Sequence, residues 1–193
     1  SFAKKALLAG KNVICEKPFT VKYDEFKELK QIAKEKQLIL VEAITNQYLT
    51  NYKNLKQSLS EVGEIKIVSM NYSQYSHRYD AFKQGKVLPV FDPKKGGGAL
   101  MDLNIYNIHF LVGLFGMPKK VEYHANIERG VDTSGILTLD YDNFKAVSIA
   151  AKDVAAPGTS LIEAEKETII VNGPANVMNS FDIVGQQNKI QHC

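Results

Sequence analysis

The sequence predicts an α/β segment joined to an α+β lobe: the closing part of a doubly wound parallel sheet, then an open, mainly antiparallel sheet with one long buried helix. Three observations carry this. Two short apolar runs, 12–15 and 38–41, bracket an amphipathic stretch over 23–36, which is the strand, helix, strand order of a buried parallel unit. Beyond residue 60, segments rich in β-branched and aromatic residues follow one another with few helical patterns between them, the mark of an antiparallel sheet. The segment 98–115 is apolar on most faces, as a helix inside a core must be. The division falls near residue 45, with 1–45 closing the first domain and 46–193 forming the second.

Taken in order, residues 1–8 read as the second half of an amphipathic helix, closed by Gly10 where a C-cap glycine would stand. A helix feeding a strand at the very start looks like a crossover unit whose first strand is absent. The strand 12–15 ends in Glu16-Lys17-Pro18, and Pro18 stops it because proline has no N–H for the ladder. Open α/β sheets bind ligands beyond the carboxyl ends of their strands, so a charged pair there falls where chemistry is expected. A solvated turn with a surface ion pair fits the bare tripeptide as well. In the crossover helix over 23–36, Phe26, Leu29, Ile32 and Ala33 form the apolar stripe, and the second strand then ends in Glu42-Ala43. No G-x-G-x-x-G or P-loop follows either strand.

Thr50 is placed as the N-cap of a short helix to about residue 59. Strands are expected over 65–75, 120–129, 135–141, 144–151, 160–171 and 177–184, with Asp142-Asn143 as a hairpin turn. Met70, Tyr72 and Tyr75 suggest a partly apolar outer sheet face, which suits a homo-oligomer. Read at about 100° per residue, the long helix puts Asp102, Tyr106 and His109 on one narrow polar stripe. A carboxylate on a buried helix must be paired or face a wet cavity, so Asp102 is expected to point into a pocket. Gly98 and Gly113 extend the stripe with no side chain to obstruct what lies over it. The competing assignment makes Asp102 a helix cap, with Tyr106 and His109 as hydrogen-bonded core residues.

Composition excludes several classes of partner. The formal net charge is +3, from scattered lysines with only Arg78 and Arg129 beside them, which is no nucleic-acid face. No apolar run approaches the roughly 20 residues that span a bilayer, and no signal-peptide pattern opens the chain. Cys15 and Cys193 make no disulfide framework, so a reducing cytoplasm is expected. His77, His109, His124 and His192 lack paired ligand spacing, so no metal site is expected. Lys94 and Lys95 read as solvated loop charges.

Two distant motifs carry a resemblance. Gly10-Lys11-Asn12-Val13-Ile14-Cys15-Glu16-Lys17-Pro18 resembles the "GKHVLCEKP" segment of the glucose–fructose oxidoreductase, inositol dehydrogenase and MocA-like family. The run from Phe91-Asp92-Pro93 through Gly96-Gly97-Gly98-Ala99-Leu100-Met101-Asp102 to Tyr106 resembles its "FDPxxGGGALxDxGxY" segment. Val41-Glu42-Ala43-Ile44 and the tyrosine at 106 are similar to the dihydrodiol and xylose dehydrogenase branch. The resemblance implies a Rossmann-like first domain whose glycine loop would precede Ser1, with further structure beyond Cys193, so the chain looks like a middle piece. It implies an NAD(P)-dependent oxidoreductase passing hydride between the nicotinamide and an alcohol or carbonyl of a sugar, polyol or dihydrodiol. Lys17 would stabilise the developing oxyanion. Tyr106 would be the general acid/base. Asp102 would bind substrate or orient Lys17 and Tyr106, and His109 would touch substrate. Glu16, Lys17 and Pro18 would line the cofactor, with a cis bond before Pro18. NAD and NADP stay undecided, because the residue near the ribose 2′ position lies outside this sequence. Asn104 stands where the family usually has glycine, and Gln47 where the dihydrodiol branch tends to have arginine. A non-catalytic sugar- or nucleotide-sensing protein on the same fold is the second hypothesis.

Overall fold

Val13–Glu16 (β1) and Leu40–Ala43 (β2) pair in parallel, Val13 opposite Leu40 and Glu16 opposite Ala43, in the computed structural model, which describes residues 1–185 and 190–192. The expected amphipathic stripe makes this pairing possible. Helix Tyr23–Glu35 (α2) turns Leu29 and Ala33 inward onto Leu7 of helix Phe2–Leu8 (α1) and Val13 of β1, forming a small core of its own. Gly10 follows α1 with φ +73°, a backbone that glycine adopts without strain.

The second lobe is an eight-stranded sheet in the order β10-β9-β8-β7-β3-β6-β5-β4. Its strands are Ile65–Ser73 (β3), Lys120–Glu128 (β4), Val131–Asp140 (β5), Lys145–Ala151 (β6), Thr159–Ala164 (β7), Glu167–Asn172 (β8), Ser180–Gly185 (β9) and Ile190–His192 (β10). Every pairing is antiparallel except β3 with β6. The expected single strand over 160–171 is two strands, β7 and β8. The charged Glu165-Lys166 pair turns the chain there, and its amides donate to the Glu64 and Val62 carbonyls.

One face of this sheet carries helix Thr50–Ser58 (α3) and helix Ile105–Phe115 (α5). Tyr52, Leu55, Phe110 and Leu111 pack there on Val68, Met70, Leu137, Ile162, Ile169 and Phe181. Thr50 does not cap α3: it is the first helical residue, preceded by Leu49 with no side-chain cap bond. Met70 and Tyr72 are buried on this inner face and Tyr75 lies beyond the end of β3, so they do not form the outer surface. Ile67, Ile136, Val147, Ile149, Leu161 and Ile170 alternate to the other side and make that face partly apolar instead.

A short helix absent from the sequence expectation, His77–Lys83 (α4), starts with the Ser76 hydroxyl accepting from the Arg78 amide and buries Phe82 against Phe91. The long helix is not uniform, because Leu100–Asn104 forms a π-helical turn that runs into α5. By length and composition alone Pro93–Phe115 could cross a membrane. Its Asp102, Asn104 and Asn107 instead bond to groups of the two lobes, as a core helix of a globular fold does. Cys193 and the side chain of His192 lie outside the described residues.

Candidate active site

The glycine run fixes how the long helix begins, and each glycine has its own reason. Gly96 ends a short turn with φ +72°, and a Cβ on it would press Pro18 Cγ at 2.9 Å. A Cβ on Gly97 would meet backbone atoms of residues 89–92, and one on Gly98, at φ +115°, would overlap the Asp132 carboxylate. That carboxylate accepts from the Leu100 amide at 2.6 Å and from the Tyr123 hydroxyl at 2.7 Å, holding the first turn. Gly98 and Gly113 therefore face protein, not an open pocket, since a Cβ on Gly113 would strike Tyr52 and Gln47.

From this start the π-helical turn presents Asp102 to two lysines. Lys17, just past the carboxyl end of β1, donates to Asp102 Oδ1 at 2.8 Å and to the Asp102 carbonyl at 2.7 Å. Lys152, just past the end of β6, donates to Oδ2 at 2.6 Å and to the Val90 carbonyl at 2.7 Å. Burial pushes the Asp102 carboxyl up, but hydrogen bonds and charge from Lys152 and then Lys17 outweigh it and hold the group below the ordinary range. The side chain of Lys152 is only 2% exposed, and burial pulls its ammonium down despite Asp102.

Tyr106 lies under the same ammonium, with Lys17 Nζ 4.9 Å from its ring centre and the Tyr72 ring 5.9 Å away. Asp102, Lys17 and Tyr106 are thus brought together. His109 is turned elsewhere: its Nε2 sits 3.0 Å from Glu42 Oε2 at the end of β2. Glu42 also accepts from the Phe19 amide at 2.9 Å. Burial raises the Glu42 carboxyl, yet His109, the Phe19 amide and Lys17 together bring it below its usual value. Of the remaining expected residues, Glu16 is exposed and Pro18 follows a cis peptide bond.

Gln47 donates to the His109 carbonyl at 2.7 Å and Asn46 to the Tyr106 carbonyl at 2.7 Å, tying the connection after β2 to the helix. Asn104 is fully buried. It donates to the Ser148 carbonyl at 3.3 Å and accepts from the Ser148 hydroxyl and from Asn107.

Sequence reasoning missed Lys152. The signal was the alternation along β6, in which Ala146, Ser148 and Ala150 face the helix and Lys152 continues that side just past the strand. Beside the Asp102–Lys152 pair opens a cavity of about 360 Å³ lined by Gln74, Tyr75, Ser76, His77, Arg78 and Leu103. A larger groove of about 580 Å³ runs between α2, β2 and the start of the long helix, but its walls are mainly apolar and include neither Lys17 nor Tyr106. The smaller cavity is lined by Asp102 and Lys152 but likewise by neither Lys17 nor Tyr106. Among the described residues no group of three His, Cys, Asp or Glu is placed to hold a metal ion.

The carboxyl ends of two parallel strands meeting an ammonium, a phenol and a carboxylate fit the nicotinamide end of a dinucleotide. Glu16, Lys17 and Pro18 would flank it; the phosphate-cradling glycine loop has no counterpart in these 193 residues.

Comparison with known proteins gives matches along the chain. The model of the GFO/IDH/MocA C-terminal domain matches residues 52–190, and that of the oxidoreductase family NAD-binding Rossmann fold matches residues 1–44. The chain is 39% identical over 164 residues to scyllo-inositol 2-dehydrogenase (NADP(+)) IolU of Bacillus subtilis, covering 84% of this chain and 50% of that protein. It is 29% identical over 216 residues to the trans-1,2-dihydrobenzene-1,2-diol dehydrogenase of Danio rerio, covering 96% and 62%. In fold it is similar to an inositol dehydrogenase homolog from Azotobacter vinelandii, solved with NADH and myo-inositol. There the TM-score is 0.84 at 15% identity, over 99% of this chain and 52% of that one. The chain thus spans about half the length of the first of these curated relatives.

Proposed function

Because the chain belongs to the GFO/IDH/MocA oxidoreductase family, we propose that the intact protein is an NAD(P)-dependent dehydrogenase acting on the CH–OH group of a polyol, sugar or dihydrodiol. The observation that carries this is Lys17 reaching across from the first sheet to Asp102, at 2.8 Å, while lying 4.9 Å from the Tyr106 ring centre. The nicotinamide, when bound, supplies the hydride acceptor. The residues of this chain act on the proton and on the charge. Tyr106 takes the proton of the substrate hydroxyl, a general-base contribution on the order of a hundredfold or more. Lys17 stabilises the negative charge that gathers on that oxygen, and its placement in advance of the reaction makes the effect strong. Asp102 holds the Lys17 ammonium in place. The His109–Glu42 pair holds the far end of the helix against β2.

The domain boundary near residue 45 suits this division of labour, with the cofactor side in 1–45 and the substrate side in 46–193. The partly apolar outer sheet face, with Ile67 48% and Ile136 43% exposed, supports a homo-oligomer through that surface. The cytoplasmic setting rests on the sequence alone, whose two cysteines make no disulfide framework.

The test is absorbance at the reduced-nicotinamide band with NAD⁺ or NADP⁺ and a panel of inositols, aldoses and dihydrodiols. At least one substrate turns over, and Lys17→Met lowers kcat/KM by on the order of a hundred- to a thousandfold. Absence of turnover across the panel, or a Lys17→Met enzyme equal to the parent, overturns the proposal.

A further inference from the structure

Resting on the dehydrogenase reading above, we propose that Lys152 is a positioning residue: it neutralises Asp102 from behind, so that Asp102 aims the Lys17 ammonium without cancelling its charge. The geometry requires an explanation of this kind. Asp102 has two carboxylate oxygens, and each is bonded by a different lysine, Oδ1 by Lys17 at 2.8 Å and Oδ2 by Lys152 at 2.6 Å. Lys17 alone would suffice to neutralise the carboxylate. A second ammonium, on a side chain 2% exposed, is expensive to bury.

The surroundings of Lys152 are built to hold it charged. Its Nζ donates to the Val90 carbonyl at 2.7 Å and stands 4.7 Å from the centre of the Phe91 ring, a cation–π contact. The charged groups that act on it are Asp102 from the π-helical turn, Asp132 from β5 and, repulsively, Lys17 from β1. Around Asp102, Tyr72 adds a phenol from β3 and Tyr106 one from α5, while Glu42 faces Lys17 from β2.

In the hydrogen-bonded trio two ammoniums and one carboxylate leave one positive charge; Glu42, which faces Lys17, is bonded to His109 and the Phe19 amide, and Asp132, which acts on Lys152, to Tyr123 and the Leu100 amide. The carboxylate is bonded to both, but Lys152, 2% exposed against 16% for Lys17 and tied to the Val90 carbonyl as well, is the more enclosed of the two ammoniums. The uncancelled charge is therefore expressed at Lys17, where negative charge develops on the substrate oxygen. Without Lys152 the Lys17–Asp102 pair would be neutral overall, and its stabilisation of an oxyanion would weaken.

The experiment uses the intact protein with four variants. Lys152→Met keeps the length and the packing on Phe91 but removes the charge. Its kcat is expected to fall about ten- to a hundredfold with KM changed less than threefold, less than the loss from a direct oxyanion donor. Lys152→Gln keeps a hydrogen-bond donor without the charge and should behave like Lys152→Met; it also serves if the methionine variant fails to fold. Lys152→Arg should retain most of kcat. In Lys152→Met/Asp102→Asn the carboxylate is removed as well, Lys17 regains its uncancelled charge, and kcat should rise above that of Lys152→Met alone.

A separate arm needs no turnover: ¹³C-carboxyl NMR of Asp102 should show it titrating at higher pH in Lys152→Met than in the parent. A protein without activity on any substrate overturns the dehydrogenase reading, while this titration still judges the pairing. An Asp102 titration unmoved by Lys152→Met overturns the inference. So does a double variant no faster than Lys152→Met in an active enzyme.

Discussion

Alanine at Gly97 should destabilise the fold far more than alanine at a glycine whose backbone angle is unusual but whose surroundings are empty. A Cβ at Gly97 would stand 2.5 Å from the Asp92 nitrogen, 2.7 Å from the Pro89 carbonyl oxygen and 2.8 Å from the Phe91 nitrogen. These are backbone atoms of a turn that closes on itself through Phe91 N–H to Leu88 C=O at 2.8 Å, Asp92 N–H to Pro89 C=O at 3.1 Å and Gly97 N–H to Asp92 C=O at 2.9 Å. Relief requires the turn to move by roughly 1 Å, a forced overpacking that costs about 1–3 kcal/mol. The same movement strains one of those hydrogen bonds, adding about 1 kcal/mol. It also draws the Val90 carbonyl from the buried Lys152 ammonium. The expected total is about 3 kcal/mol, which for a chain of this size lowers Tm by about 6–12 °C. Gly10 and Gly130, at φ +73° and +77° with nothing within 4 Å of a built Cβ, provide the comparison. Alanine there costs only the left-handed backbone, about 1–2 kcal/mol. Urea unfolding followed by circular dichroism measures all three variants. If Gly97→Ala lies within about 0.5 kcal/mol of Gly130→Ala, the uncertainty of such extrapolations, the turn is not packed against the glycine as described.

Two further predictions concern the polar groups around the site. The Glu42 carboxyl is held below its usual value in the folded state, so its contribution to stability is complete above the unfolded carboxyl range near pH 4.3 and disappears as pH falls through the lower folded value. Glu42→Gln should therefore cost about 1–2 kcal/mol at pH 7, and the gap to the parent should close as pH drops below about 4; urea midpoints at a series of pH values show whether it does, and a gap that widens contradicts the His109 and Phe19 bonding. Asn104→Gly installs the residue usual in the resembling motif, yet here it strips partners from the Ser148 hydroxyl and Asn107 and places glycine in a helix. A loss of about 2–4 kcal/mol is expected in the same unfolding assay, and a neutral result would mean that the buried amides repartner freely.

The parallel strand pair, the crossover helix and most strands of the second sheet were legible because their burial pattern is local. Alternation along 135–140 and the apolar stripe of 23–35 state which side faces inward without knowledge of what lies there, whereas the start of that strand at Val131 was not read. The grouping of Lys17, Asp102 and Tyr106 was legible only through the resemblance, since 85 residues separate Lys17 from Asp102 and no periodicity links them. Lys152 stayed hidden for a related reason. Its inward position could be counted from Ala146, Ser148 and Ala150, but a lysine just past a strand end is usually solvated, and only the arrival of Asp102 from another element makes burial tolerable. Tyr72 was assigned to the wrong sheet face because an aromatic residue on a strand suits either side, and the choice was made by the Tyr106 ring across the core.

The helical wheel grouped Asp102 and Tyr106 correctly but gave His109 the wrong neighbour, and the π-helical turn at 100–104 explains both results. A turn with one residue more per repeat rotates the helix on its N-terminal side relative to the helix on its C-terminal side, so Asp102 and His109 do not share the stripe that a uniform 3.6-residue period assigns them. The turn brings the Asp102 carbonyl, as well as its carboxylate, within reach of Lys17. The result is a crossed pairing. Adjacent parallel strands, spaced about 4.8 Å apart, send Lys17 from β1 to Asp102 and Glu42 from β2 to His109. Sliding the helix so that these partners exchanged would set Lys17 against His109 and Glu42 against Asp102, placing two carboxylates together. Charge order thus fixes the register of the helix across the strand ends, and the same contacts that fix it bring the ammonium to the phenol.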